Sequence, residues 1–114
     1  MNSRDKSIIQ KILAYCAQIQ QTHQYFQDNQ ALFFDIQNGF VYRNSVAMPI
    51  LQIGELAKRL SEDYIKENKA IPWRAIMGMR DIFAHHYGSV DFQELWHTSH
   101  EDISALEVYL QQSK

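Results

Sequence analysis

Ser3-Arg-Asp-Lys-Ser-Ile-Ile-Gln-Lys-Ile-Leu-Ala-Tyr-Cys-Ala-Gln-Ile-Gln-Gln-Thr-His-Gln-Tyr-Phe26 sets the architecture. Ile8, Ile12, Tyr15, Ile19 and Phe26 recur at steps of three, four or seven, with Ile9, Leu13 and Cys16 beside them. Gln10, Lys11, Gln18 and Gln21 fall on the opposite side. One apolar stripe of that period predicts a long amphipathic helix from about Ser3 to Phe26. Working outward, Asp28-Asn29-Gln30 is a turn, and Ala31 to Ile36 is a short apolar helix ending near Asn38-Gly39.

From Phe40 to Leu60 the period is again helical, with Val46, Ile50, Ile53, Ala57 and Leu60 spaced by threes and fours. Pro49 removes one backbone donor inside this stretch and crowds the carbonyl of Ser45. The stripe keeps its phase across the proline, so a single kinked helix is expected rather than two. Ser61 to Ala70 carries five charges, Glu62, Asp63, Lys66, Glu67 and Lys69, and is read as a frayed helix end and a loop. Pro72 has the place of a first-turn proline, opening a helix from about Trp73 to Ala84. Gly88 punctuates the chain. Asp91, with Glu94 three residues on, starts the last helix, whose buried stripe is Phe92, Leu95, Ser99, Ile103, Leu106 and Leu110. The expectation is an all-α bundle of four to five helices, one domain over residues 1–114.

Composition bounds the function. The chain has 114 residues, 46% apolar, with 11 Lys+Arg against 13 Asp+Glu and a net charge of −2. That apolar fraction excludes a disordered chain. The mild acidity excludes a broad basic surface for nucleic acid, so any polyanion site has to be local. Cys16 is alone, and no intrachain disulfide is possible. The polar N-terminus, Met1 to Lys6, precedes no unbroken apolar core, and no apolar run approaches the ~20 residues that cross a bilayer. A soluble, cytoplasmic protein without a membrane partner is expected.

Packing explains most of these residues, but not Met79-Arg80-Asp81-Ile82-Phe83-Ala84-His85-His86-Tyr87-Gly88. Here a permanent cation, a carboxylate, two imidazoles and a phenol stand together, anchored by Ile82 and Phe83. On an ideal helix His85 is turned by about 140° from Arg80, at ~100° per residue. The two converge only if the helix ends near His85 or if two copies face each other. Asp81 and His85 are four apart, share a face, and can bond through the imidazole N–H. An Arg and a His beside one phosphate suit RNA cleavage. The imidazole moves a proton to or from the ribose 2′-hydroxyl or the leaving oxygen, and the guanidinium neutralises phosphoryl charge. The 2′-hydroxyl is an internal nucleophile, so no metal and no cofactor is needed. Each residue also has a plainer reading: Arg80 as a surface cation, His85 as a helix C-terminal residue, Tyr87 as an amphipathic rim residue.

The stretch from Trp73 to Asp91 resembles the signature of the HepT-like HEPN family, an R-x4-H-x-Y motif here made by Arg80, His85 and Tyr87. Ile53-Gly54-Glu55-Leu56-Ala57-Lys58-Arg59-Leu60 is similar to the family's upstream helix, and Val90-Asp91 and Leu95-Trp96 match downstream. Pro49 departs from the expected pattern but touches packing rather than the motif. The resemblance implies a helical bundle that pairs as a homodimer, with its motifs facing each other in a cleft. It also implies a metal-independent endoribonuclease, acting on tRNA or mRNA as the toxin of a toxin–antitoxin pair. Its antitoxin would be a minimal nucleotidyltransferase that attaches AMP to the motif tyrosine. Carried over, Arg80 and His85 are catalytic, Asp81 supports His85, and Tyr87 is the AMP acceptor. The competing reading is a non-catalytic binding or scaffold protein, partner or substrate of such a nucleotidyltransferase.

His86 has no motif role. His97 and His100, three apart, could ligate a metal with His85, but no cysteine cluster or paired carboxylate accompanies them. Phe33, Phe34, Phe40 and Tyr42 are read as core or dimer contacts rather than a base-stacking platform. Lys58 and Arg59 are read as a solvated edge.

Overall fold

The computed structural model describes residues 1–78 and 91–112, and all of their regular structure is helical. Helix α1 spans Ser3–Tyr25, α2 Gln30–Phe34, α3 Phe40–Ala57 and α4 Glu62–Glu67. A further helix, α5, begins at Trp73 and is described over residues 73–78. The last rod is continuous: α6 over Phe92–His97, a π-helical turn over Thr98–Asp102, then α7 over Ile103–Gln112. None of the described helices is long and apolar enough to cross a membrane. The all-α bundle expected from the periodicity is thus observed.

Helix α1 starts where Asn2 accepts the Asp5 amide at 2.7 Å, an N-cap that satisfies one orphan donor. Its buried face is Ile8, Ile9, Ile12, Cys16, Ile19 and His23, packed against α3 and α7. Tyr15 and Leu13, placed on the stripe by periodicity, are only partly covered and pack against the edge of the core. Each fully buried isoleucine contributes ~1.5–3 kcal/mol, so the face holds α1 in place far more than its backbone propensity does.

Helix α3 runs unbroken through Pro49. The carbonyl that loses its partner belongs to Ser45, an exposed residue, while Pro49 itself is buried against the core. Arg43, in the first turns of α3, is buried and donates to the carbonyls of Phe33 at 2.6 Å, Asp35 at 2.7 Å and Ile36 at 3.4 Å. It therefore caps the open C-terminal end of the short α2. Its guanidinium also lies 4.0 Å from the Phe92 ring centroid, joining α3 to the start of α6.

The charged stretch read as a loop contains α4. Ser61 caps it, accepting the Tyr64 amide at 3.2 Å, and Glu62 and Asp63 favour its positive end. The cap is itself held: Ser61 donates its amide and hydroxyl to the two oxygens of buried Asp5, at 3.0 and 2.6 Å. A local sequence reading sees the charges but not this contact with a residue 56 positions away.

Candidate functional site

Arg80, Asp81, His85, His86 and Tyr87 lie outside the described residues, and the structure fixes only what flanks them. On the entry side the chain is pinned by Trp73, whose indole N–H donates to the Asn68 carbonyl at 3.1 Å and whose ring meets Tyr64 edge-on. Ile71 and Ile76 are buried beside it. Pro72 stands one place ahead of the helix, and its carbonyl accepts the Ile76 amide at 3.1 Å. On the exit side Asp91 caps α6 as expected, accepting the amides of Gln93 at 2.8 Å and Glu94 at 3.4 Å. Both ends of the motif segment are thus tied to core-packed helices.

A cleft of about 490 Å³ opens between α5 and the α6–α7 rod. Ala70, Ile71, Pro72, Ala75, Ile76 and Gly78 line one side, and Glu94, Thr98, Asp102, Ala105, Leu106 and Tyr109 the other. Among these described residues the formal charges are both carboxylates, Glu94 and Asp102. These two carboxylates disfavour a phosphate beside them.

The structure gathers a second polar constellation where α1, α3 and the π-helical turn meet. His23, buried on α1, bonds Tyr42 through Nδ1 at 2.6 Å and Ser99 through Nε2 at 2.9 Å. Ser99 donates its own hydroxyl proton to the Trp96 carbonyl at 3.0 Å. Its oxygen therefore accepts from His23, which places the imidazole proton on Nε2 and leaves Nδ1 to accept the Tyr42 hydroxyl. Burial is the main reason the His23 pKa falls to about 4, with His100 nearby adding to the fall and Asp28 opposing it. Burial likewise pushes the Tyr42 phenol up to about 12, with Asp28 adding to the rise. Both groups stay neutral at physiological pH.

Ser99, His23 and Asp28 superficially suggest a hydrolase triad, with His23 Nδ1 3.8 Å from Asp28. The chemistry does not support one. Ser99 is 2% exposed and its proton is committed to a backbone carbonyl, so a substrate cannot reach it and the imidazole cannot take that proton.

His100 stacks on His23 with ring centroids 3.7 Å apart and reaches Asp28 at 2.8 Å through Nε2. His97 turns elsewhere, 3.9 Å from Asp102 and 63% exposed. The two histidines singled out as a pair by spacing are therefore not brought together. Of the aromatic group, Phe33 and Tyr42 are buried and meet edge-on at 5.0 Å, Phe34 packs at the core's edge, and Phe40 is exposed. Lys58 and Arg59 lie at the exposed end of α3, as read from their position.

Sequence reasoning missed His23, Tyr42 and Asp28 as a group, although one signal was present. The α1 stripe, continued by four from Ile19, falls on His23, and the last helix's stripe includes Ser99. A polar residue on each of two buried stripes implies that the two pair with each other.

Comparison with known proteins agrees with the HepT-like resemblance. The family model described as "Ribonuclease HepT-like" matches residues 9–113. A protein of Thermococcus cleftensis named "Probable ribonuclease HepT" is 43% identical over 54 residues, which is 47% of this chain and 49% of that protein. A candidate RNase, by its name, from Caldanaerobacter subterraneus subsp. tengcongensis is 36% identical over 55 residues, 48% of this chain and 49% of its own length. A third, a candidate RNase of Methanocaldococcus jannaschii, is 29% identical over 66 residues, 58% of this chain and 61% of its own length. The chain thus spans about half the length of the curated relatives it matches. No solved structure matches it. With the family model covering nearly the whole chain, this protein belongs to the ribonuclease HepT-like family.

Proposed function

We propose that the chain is a metal-independent endoribonuclease whose reaction is carried by Arg80 and His85. The observation that carries this reading is the family match over residues 9–113, which contains the ordered Arg80…His85…Tyr87 motif. His85 takes the proton of a ribose 2′-hydroxyl, and the freed oxygen attacks the adjacent phosphorus. The bond to the 5′-oxygen breaks, and that oxygen leaves with a proton returned from a conjugate acid. The products are a 2′,3′-cyclic phosphate and a 5′-hydroxyl. Arg80 offers its planar fork to the phosphoryl oxygens as charge builds on them. Asp81 holds His85 in the orientation that leaves one ring nitrogen free for the proton.

In this reading the protein is a homodimeric toxin cutting tRNA or mRNA. The exposed apolar residues Ile36, Phe40, Val41 and Met48, at and along the first half of α3, support pairing, since such residues are covered when copies associate. A minimal nucleotidyltransferase antitoxin silences it by transferring AMP to the Tyr87 hydroxyl. Each AMP adds a phosphodiester charge and a bulky nucleoside two residues from His85, which obstructs the site and repels an RNA phosphate. At a net charge of −2 the protein has little general attraction for RNA, so a local charge change suffices to shut it.

Incubating the purified chain with an RNA pool tests the assignment. Wild type should cleave, and Arg80→Ala and His85→Ala should each lose at least ~100-fold, typical of removing a transition-state contact or a general base. Equal cleavage by all three proteins removes the assigned site. No cleavage by any of them, with AMP still transferred to Tyr87, favours the scaffold reading.

A further inference from the structure

We propose that His23, His100 and Asp28 form a binding site for a divalent transition-metal ion of the zinc class, built from residues outside the Arg80–Tyr87 motif. The Nδ1 of His100 lies 2.9 Å from the Trp96 carbonyl, an acceptor only, so Nδ1 carries a hydrogen. In the neutral ring Nε2 then has a lone pair, yet it faces the Asp28 carboxylate oxygen at 2.8 Å, a second acceptor. Something positive belongs between them, either a proton or a metal ion. A proton satisfies this one contact; a metal ion also uses the third ligand nearby.

That third ligand is His23. Its Nε2–H is spent on Ser99, and its Nδ1, which accepts the Tyr42 hydroxyl at 2.6 Å, lies 3.8 Å from the same Asp28 oxygen. The two imidazole nitrogens and the carboxylate oxygen all lie within 4.8 Å of one another. Ligands about 2 Å from a common ion are separated by roughly 3–4 Å, so the stacked His23 and His100 rings have to turn towards one another to close the set. Metal-bound imidazoles characteristically donate their other N–H to a carbonyl or similar acceptor, which fixes tautomer and ring orientation. Both rings meet that condition here, His100 through Trp96 and His23 through Ser99.

The backbone delivers the carboxylate at some cost. Gln27 and Asp28 follow α1 with φ of 55° and 50°, a left-handed conformation that non-glycine residues seldom adopt. The Asp28 amide donates to the His23 carbonyl at 2.9 Å, folding the turn back over the His23 ring. From the other side, a π-helical turn, itself rare and often found at functional sites, presents His100. Two imidazoles and one carboxylate suit Zn²⁺, Co²⁺ or Ni²⁺ rather than Mg²⁺ or Ca²⁺, which prefer all-oxygen shells. Asp28 is 60% exposed, so the ion has an entry path and keeps open positions for water or a fourth ligand. Loading displaces the Tyr42 hydroxyl from His23 Nδ1 and clamps the α1 turn to the α6–α7 rod.

Titration of the tag-free chain with Zn²⁺ by calorimetry, and with Co²⁺ by visible absorption, tests this. One ion per chain should bind, thermal stability should rise with added Zn²⁺, and Mg²⁺ should do neither. Asp28→Asn and His100→Gln act at partly exposed positions and should keep the fold while weakening Zn²⁺ binding at least ~10–100-fold. His97→Gln should leave binding unchanged. No Zn²⁺ binding by wild type, or binding undiminished in both Asp28→Asn and His100→Gln, overturns the site.

Discussion

Arg43→Met is the substitution whose consequence follows most directly from the structure. It keeps the apolar stem and removes the guanidinium. The buried fork gives two short bonds, to the carbonyls of Phe33 at 2.6 Å and Asp35 at 2.7 Å. Bonds from a charged donor contribute ~1.5–3 kcal/mol each, and at the low end this pair amounts to about 3 kcal/mol. The bond to Ile36 at 3.4 Å adds little, while the ring contact with Phe92 at 4.0 Å adds ~0.5–1 kcal/mol. Relief from burying a cation offsets part of this, leaving a net loss of about 2–3 kcal/mol. For a domain of this size that lowers Tm by roughly 10 °C. Urea and thermal unfolding followed by circular dichroism measure it. Arg43→Lys retains the charge without the fork and should fall between wild type and Arg43→Met. A loss below ~0.5 kcal/mol for Arg43→Met refutes the claim that this residue caps α2 and fastens it to α6.

Gly39→Ala should destabilise by about 2–4 kcal/mol in the same assay, because a Cβ there runs into the carbonyl oxygens of Leu32 and Asp35 and the Arg43 guanidinium. Unchanged stability would contradict that packing. Burial, reinforced by Glu107, pushes the Cys16 thiol up to about 12 from 9.0. The native thiol should therefore resist iodoacetamide at pH 8 and react in urea, and rapid native alkylation would refute its burial. The sign of its linkage follows: below pH 9 both states hold the proton, and above it the unfolded chain ionises first, so this thiol erodes stability as pH rises from 9 towards 12. Co-expression of Tyr87→Phe with a nucleotidyltransferase antitoxin should abolish the AMP mass increment and the silencing. An increment that persists would move the acceptor elsewhere.

How far the fold was legible depended on whether a residue's partners were local. The α1 stripe repeats by threes and fours over six turns, and a pattern that long leaves little choice but a buried helix face. The α4 helix escaped notice because five charges in ten residues resemble a loop, while the contact that fixes it, Asp5 on Ser61, spans the chain. Pro49 was expected to lie within one helix because the apolar stripe keeps its phase across it, and α3 does continue through it. Arg43 has the sequence look of a surface cation; only the fold shows that three backbone carbonyls converge on it. The candidate chemistry divides the same way. Arg80, His85 and Tyr87 were legible as an ordered motif, because they are close in sequence. His23, Asp28 and His100 were not, because α1, its turn and the last helix must first be packed together.

Cleavage of a defined oligonucleotide carrying one 2′-deoxy substitution tests whether the ribose 2′-hydroxyl drives the reaction. The substitution is placed at the bond the wild-type protein cuts, and products are identified by mass spectrometry. The all-ribose strand should yield a 2′,3′-cyclic phosphate and a 5′-hydroxyl, with no cut at the deoxy position. Arg80→Ala and His85→Ala should leave both strands intact. Cutting at the deoxy position, or wild-type rates from either variant, would contradict a reaction driven by the 2′-hydroxyl and carried by those two residues.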